Sequence, residues 1–439
     1  MLDIKDFFDK EYIQFSTYDN VRKISSYLDG LKNSGRKIVF TLQEQNCESF
    51  TKVANLGPRV QDFSQYLHGS LEGSIVNMTQ NYVGSGNNIP FLDGDGNFGS
   101  RFIPQSAASR YIFAKTSKQL DSIFKKEDRV LLEQQDFEGQ KIEPKFYMPT
   151  IPTVLANGSE GMSIGFAQKI LPRKPSELRK WVIQKASGKR LTADLTPYWN
   201  DQDFTVEQGE NPLQWIIKGK VEITTNTKST ITALPVGYTL KQYQKVLDEL
   251  VERKYIRDYE DLSDEDVFRF EISHIRDFWT QNEETILTKL KLVKKVTENL
   301  TCVDEQNKIV QFDSVSQLLT KWWEKRLHYN MLRKNFLLTQ LDKELEEADA
   351  KRIFIKAVIE EKIELRNKKE EDVVKQGEKH NKALVGRMQK LIQLPMRALT
   401  AEEVDKLSKR INKIEQDKVE LEHTTHEQIS INDCEKLEV

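Results

Sequence analysis

Two runs of apolar residues at heptad spacing constrain this chain more than any other feature. Leu338, Leu341, Leu345 and Ala348 follow a 3-4-3 step, and Val404, Leu407, Ile411, Ile414 and Leu421 continue the same period later. A stripe of that period is buried by laying it along another helix. Lys and Glu crowd the remaining faces. The runs lie about 50 residues apart, which fits an antiparallel coiled-coil arm over 316–348 and 401–430, with 349–400 as a helical knob at its tip. Two amphipathic helices in an ordinary bundle would show the same pattern. Thr400-x-x-Glu403 reads as a capping box opening the second run. The polar end, 431–439, reads as a frayed tail.

Upstream the pattern changes. Residues 1–145 alternate short helical patterns with Gly-rich turns. In 150–315, β-rich runs such as VEITTNTKSTITALPV (221–236) and FRFEISHI (268–275) alternate with charged helical stretches. The whole reads as an α+β multidomain chain. No stretch approaches the roughly 20 apolar residues of a spanning helix, so no membrane partner is expected. The start, MLDIKDFFDKEY, is acidic and lacks an apolar core, and Cys47, Cys302 and Cys434 are too scattered for a disulfide framework or a zinc site. A cytoplasmic, reducing location is expected.

The formal net charge of -2 speaks against a nucleic-acid partner until it is mapped. Residues 22–37 hold five basic residues and one acid, and 101–126 hold six and one, whereas 415–439 hold eight acids and two lysines. Near-neutrality is a cancellation between segments, and a phosphate feels the local patch.

The densest cluster of unusual residues is FLDGDGNFGSRF (91–102). Gly94-x-Gly96-x-x-Gly99 mimics a dinucleotide fingerprint without the βαβ unit it requires. Asp93-x-Asp95-x-Asn97 begins like a calcium loop, but Phe98 and Pro104 stand where Gly and Glu are needed. A tight turn using glycine's freedom is the simpler reading. In SAASRYIFAKTSK (106–118), a helix would put Tyr111, Lys115 and Lys118 on one face beside Arg110. A phenol among cations is favoured as phenolate, which suits a nucleophile. A basic amphipathic helix with a packed tyrosine shows the same residues. His68, in QYLHGS, is a lone histidine with either a structural or an assisting role, and no set of residues has metal-ligand spacing. A P-loop is also missing.

These motifs coincide in order. LDGDGNFGS followed by AASRY resembles the signature around the active tyrosine of type IIA DNA topoisomerases. DGLKNSGRK (29–37) resembles their DGLKPxxRR/K, YLHG (66–69) their YHHG, and IPTVLANGSEGMSIGFA (151–167) their IPxLLVNGxxGIAVGxA. The heptads around LPMRALTAEEV (394–404) resemble the coiled coil and C-terminal gate of the gyrase A-type breakage-reunion subunit. The SRYIFAK wording resembles in particular the medium subunits of T-even-type phage topoisomerases.

The resemblance implies an N-terminal arm (1–19), a winged-helix cleavage domain (20–145), a tower domain (146–315) and a C-gate dimerisation domain (349–400). It implies that Tyr111 forms a 5′-phosphotyrosine, that Arg110 stabilises the transferring phosphoryl group, that His68 assists, and that Lys32 and Arg36 are the basic pair of DGLK. It gives Arg22 a DNA contact and Met162 the place of the isoleucine that wedges between base pairs. Lys115 and Lys118 are expected on the DNA-binding face. Asn33, Leu67 and Met162 depart from the family's Pro, His and Ile. Implied partners are double-stranded DNA, a second copy of this chain, and a large ATPase/Toprim subunit that binds ATP and Mg2+. With no wrapping domain in view, relaxation or decatenation is expected over supercoiling. A non-catalytic DNA-binding scaffold and a recombinase-like nicking enzyme are the competing classes.

Overall fold

A computed structural model describes residues 4–264, 267–366 and 368–438. Residues 1–3 of the expected arm and residue 439 of the expected tail lie outside that description. The fold is α+β: one long helix, many shorter ones and several small antiparallel sheets. The chain divides between Leu327 and His328 and again between Ile429 and Ser430, so its last residues rejoin the first unit. The expected boundary at 145/146 does not separate compact units, because the first unit runs through it.

In the first unit, helices α1 (Asn33–Glu44), α2 (Val53–Phe63) and α3 (Glu72–Thr79) pack with a three-stranded antiparallel sheet. That sheet orders β1 (Thr51–Lys52), β3 (Phe113–Thr116) and β2 (Leu92–Asp95). Helix α1 buries Ile38, Val39, Phe40 and Leu42, each at most 6% exposed. Further on, the expected β-rich runs form strands Lys220–Thr225, Lys228–Ala233 and Phe270–Ser273 of a four-stranded sheet. That sheet shares a core with helix Leu240–Glu252 through Tyr243, Leu247, Phe268 and Phe270. Thr239 and Gln242 close a full capping box on this helix. A three-stranded sheet holds the fully buried pair Arg173–Glu298 at 2.6 Å. Glu298 also accepts from the Trp215 indole N–H at 2.9 Å and the Leu171 N–H at 2.8 Å, which leaves neither charge uncompensated.

The second unit is the expected helical pair. Helix α4 (Val315–Ile359) continues eleven residues beyond the expected arm, and α5 (Ala401–His423) returns. Lys351 pairs with Glu403 at 2.9 Å and Glu344 with Arg410 at 3.5 Å, so seven residues down one helix match seven up the other. The helices are therefore antiparallel, with Leu407, Ile411 and Ile414 of the seam buried. Thr400 caps α5 by accepting the Glu403 N–H at 3.3 Å, but the Glu403 carboxylate goes to Lys351. The capping box is half made because a cross-helix cation takes its second partner. Between the helices, Phe354, Val373, Leu384 and Met388 form a separate core.

The frayed tail is a correction. Helix α6 (His426–Glu435) continues the chain, with Cys434 0% and Leu437 2% exposed. Composition misled here, since a few apolar residues at the right spacing suffice to dock a polar helix. Leu437→Ala should therefore lower stability by about 2–5 kcal/mol, read as a fall in the denaturation midpoint of the first unit. A truly frayed tail would register no change.

All three thiols are buried. Burial pushes Cys302 and Cys434 up to about 12, and raises Cys47 as well. A thiol whose pKa is raised stays protonated at pH 8, and only the thiolate attacks. The native protein should thus show no fast reaction with a disulfide reagent at pH 8, and three thiols should react once it is unfolded. A fast-reacting native thiol would contradict this burial.

Candidate nucleic-acid interface

The Arg110–Tyr111 pair sits on a turn, not on a helix. Residues 113–116 form β3, hydrogen-bonded on both sides to β1 and β2. A helix begins only at Lys118. Tyr111, Lys115 and Lys118 therefore share no helical face. The local spacing was real, but two distant strands satisfy the backbone of 113–116 better than a helix would.

The turn is held at several points. The Val53 N–H donates to Ile112 O at 3.0 Å, the Ala54 N–H to Ser109 O at 3.2 Å, and the Tyr111 N–H to Ala108 O at 2.9 Å. Ile112 is fully buried while Tyr111 is 65% exposed, its hydroxyl free of hydrogen bonds among the described residues. The Arg110 guanidinium lies 4.9 Å from the Tyr111 ring centre. Gly96 (φ +102°) and Gly99 (φ +92°) explain the glycine cluster. A Cβ on Gly99 would stand 2.5 Å from Pro104 O, and one on Gly96 3.3 Å from Tyr111 O. Asp93–Asp95 of DGDG lie in β2, so the tight-turn reading holds only from Gly96 to Gly99, where these two glycines let the loop close behind the tyrosine. Lys115 faces Asp93 across the sheet and lies 4.6 Å from the Phe50 ring centre, while Lys118 is exposed.

A second group assembles around Met162. Strands β4 (Ser159–Met162) and β5 (Ala167–Ile170) form a hairpin with Met162 80% exposed near its turn. Helix Ile13–Lys23 braces that turn. Asp19 accepts the Ile164 N–H at 3.2 Å, and Asn20 accepts the Ser163 hydroxyl. A Cβ on Gly161 would lie 2.1 Å from Lys23 O, so only glycine fits. The same helix carries Arg22, whose guanidinium is 5.4 Å from the Tyr18 ring centre. Lys32, just before α1, donates from Nζ to Glu160 O at 2.7 Å, and burial lowers its pKa against the opposing pull of Glu160. Arg22, Lys32 and Met162 are thus brought together. No hydrogen bond or ion pair among the described residues joins Tyr111 to this group or to the exposed His68.

A family model for the A-type subunits of DNA gyrase and topoisomerase IV matches residues 22–438. The chain belongs to that family. The DNA topoisomerase medium subunit of Enterobacteria phage T4 is 30% identical over 420 residues, covering 92% of this chain and 92% of that protein. The mitochondrial DNA topoisomerase 2 of Dictyostelium discoideum is 28% identical over 450 residues. That match covers 98% of this chain and 34% of that protein, so the chain spans about a third of its length. The solved DNA-binding, cleavage and re-ligation domain of Plasmodium falciparum topoisomerase II superposes with a TM-score of 0.89 at 29% identity. It covers 99% of this chain and 64% of that one.

Against the basic pair that the topoisomerase resemblance gives to DGLK, the two members part. Lys32 reaches the surface, but Arg36 is 3% exposed, its Nε 2.8 Å from Asp29 Oδ2 and its Nη2 2.8 Å from Leu31 O. Arg36 is a framework residue here, because the buried Asp29 takes its charge. Asp29 itself, and the bracing pair Asp19 and Asn20, were missed from the sequence. No local signal marks them, since Asp19 and Asn20 stand in the polar run STYDNVRK and Asp29 in the basic run DGLKNSGRK. Arg36→Ala would strand a buried carboxylate and should cost about 3–5 kcal/mol of stability. Lys32→Ala should leave the melting temperature within a degree or so and weaken duplex binding instead. Equal melting temperatures for both variants would contradict the division.

Proposed function

We propose that this chain is the DNA breakage-reunion subunit of a type IIA topoisomerase, with Tyr111 as the nucleophile. The observation that carries the reading is an exposed tyrosine, flanked by arginine, on a turn fixed from behind. Topoisomerase names among the relatives support it. The Tyr111 oxygen attacks a backbone phosphorus. An O–P bond forms, the bond from phosphorus to the 3′ oxygen breaks, and the 3′ hydroxyl leaves with a proton. The phenolic proton passes to a base, the part given to His68, and water supplies the proton that the departing 3′ oxygen takes up, so the two transfers balance. One phosphoester replaces another, so resealing is the reverse step and needs no fuel. Arg110, beside the ring, neutralises charge on the transferring group.

In the same reading Met162 wedges into the duplex and Arg22, Lys32, Lys115 and Lys118 meet its phosphates. Two copies cut the two strands, and residues 349–400 join them through a surface that includes Val385 and Met396, which are 53% and 88% exposed. A second duplex passes through the gap, giving relaxation or decatenation in the cytoplasm. Among the described residues no three His, Cys, Asp or Glu side chains are grouped to hold a metal ion. No step above runs through a metal. We assign Mg2+ and ATP to a large partner subunit with Toprim and ATPase modules.

The test mixes the chain with such a subunit, duplex DNA, ATP and Mg2+, then denatures rapidly. Covalent protein–DNA adduct should form and map to Tyr111, and Tyr111→Phe should remove at least about 1,000-fold of it, in line with loss of a catalytic nucleophile. Adduct persisting in Tyr111→Phe would refute the nucleophile. Adduct formed without any partner would favour a recombinase-like nicking enzyme, and none under any condition a scaffold.

A further inference from the structure

Beside the Met162 hairpin lies a cleft of ≈ 560 Å³. Trp199, Ile217, Val236 and Val296 contribute apolar lining, and three lysines, Lys32, Lys169 and Lys294, also line it. Of the described lining residues only Asp29 and Glu160 are acidic. Asp29 is fully buried and committed to Arg36. Glu160 is shared, its carboxylate 3.7 Å from Lys169 Nζ and its backbone oxygen accepting from Lys32. Lys294 Nζ donates to Val236 O at 2.9 Å and lies 2.8 Å from where a Cβ on Gly237 would be. Three cations therefore face one available carboxylate.

Gathering like charges costs free energy that an anion between them removes. The strain is legible in the side chains. Burial and then the neighbouring Lys169 hold the Lys294 ammonium below the usual lysine value. The hairpin also fixes where Lys169 stands. Lys169 pairs across from Glu160, and Ala167 from Met162. Residues two apart on a strand share a face, so Lys169 and Met162 lie on one face, about 7 Å apart along the strand. One strand of B-DNA carries a phosphate about every 3.4 Å of helix axis, so that step spans about two phosphates.

We propose that Lys169 and Lys294, together with Lys32, clamp backbone phosphates of the duplex arm that Met162 bends. The inference rests on the DNA-cleavage reading above and adds to it the residues that hold the bend. An inserted apolar side chain kinks the duplex and wraps it against more protein surface. Cations beside the wedge neutralise the phosphates delivered there. Free inorganic phosphate offers the same chemistry, and a separate arm of the test distinguishes it.

The experiment measures duplex affinity of the full chain against salt, together with bending of an end-labelled duplex by energy transfer. Lys169→Gln/Lys294→Gln should lower the slope of log affinity on log salt by about 2, near 0.9 for each lost phosphate contact, and should reduce the bend. Lys294→Gln alone, on an edge strand, should lower the slope by about 1, which keeps the test open should the double variant fold poorly. Lys169→Arg/Lys294→Arg should restore slope and bend. An unchanged slope and bend in variants that fold would overturn the clamp while leaving the DNA-cleavage reading intact. Failure of the unmodified chain to bind DNA would overturn that reading and the clamp with it. A thermal shift with inorganic phosphate that the Gln variants lose, with an unchanged salt slope on DNA, would mark a free-anion site and overturn the clamp.

Discussion

The Asp29–Arg36 pair is the contact on which the rest of the interface depends. Its two charges are withdrawn from water, which is tolerable only when every lone pair is used. Asp29 commits its carboxylate to Arg36 Nε at 2.8 Å, the Leu31 N–H at 2.9 Å and the Tyr147 N–H at 2.9 Å, and its carbonyl accepts the Thr153 hydroxyl at 2.7 Å. Gly30 turns with φ +67°, and a Cβ there would lie 2.7 Å from Val154 Cα. One residue, through its carboxylate and its carbonyl, thus ties residues 29–37 to 147 and 153. That is why the expected domain boundary near 145 falls inside a single compact unit. The start of α1 is set by this node, and with it the position of Lys32, which reaches the Met162 hairpin through Glu160.

What was legible in the sequence had a local cause. The heptad seams declared themselves because a 3.5-residue period belongs to few structures, and the ion pairs between α4 and α5 run antiparallel, as expected of two seams that pack together within one chain. The strands in 221–236 and 268–275 were legible from their local composition, as was the glycine turn at Gly96 and Gly99, whereas Asp93–Asp95 just before it proved to be strand. What was hidden depended on partners far along the chain. Tyr111, Lys115 and Lys118 have helix-like spacing, yet β1 and β2 lie some 60 and 20 residues away from 113–116 and claim that segment as strand. The C-terminal tail looked solvated by composition, but Cys434 and Leu437 find the first unit. Arg36 belongs to a basic run that reads as a phosphate-facing patch. No spacing rule announces that Asp29 turns it inward.

The charge distribution changes meaning once it is placed. Of the five cations in 22–37, two are engaged internally: Arg36 by Asp29, and Lys37 by Glu143 at 2.9 Å. Lys23 is half-exposed and paired with Asp19 at 2.8 Å. The surface cation count of that segment is therefore smaller than the sequence suggests. In the proposed clamp, part of the deficit is made good from elsewhere, by Lys169 and by Lys294 of the run KLKLVKK (289–295), both far along the chain from 22–37. A phosphate-facing surface here is built by the fold from separated segments.

Rigidity behind the exposed groups completes the logic. A wedge that bends DNA must be stiffer than the duplex step it enters, or the hairpin yields instead. Met162, the wedge of the proposed reading, meets that condition because its hairpin turn is held by Asp19 and Asn20 and its Gly161 is pressed against Lys23 O, with no space for any side chain. Tyr111 meets an analogous one. A nucleophile on a mobile loop would lose binding free energy to ordering itself at each encounter. Here the strand hydrogen bonds of β3, the buried Ile112 and the closure at Gly96 and Gly99 fix the backbone first, leaving the phenol as the part that meets solvent. The two exposed groups share one construction: a buried, glycine-tight backbone carrying a single projecting side chain.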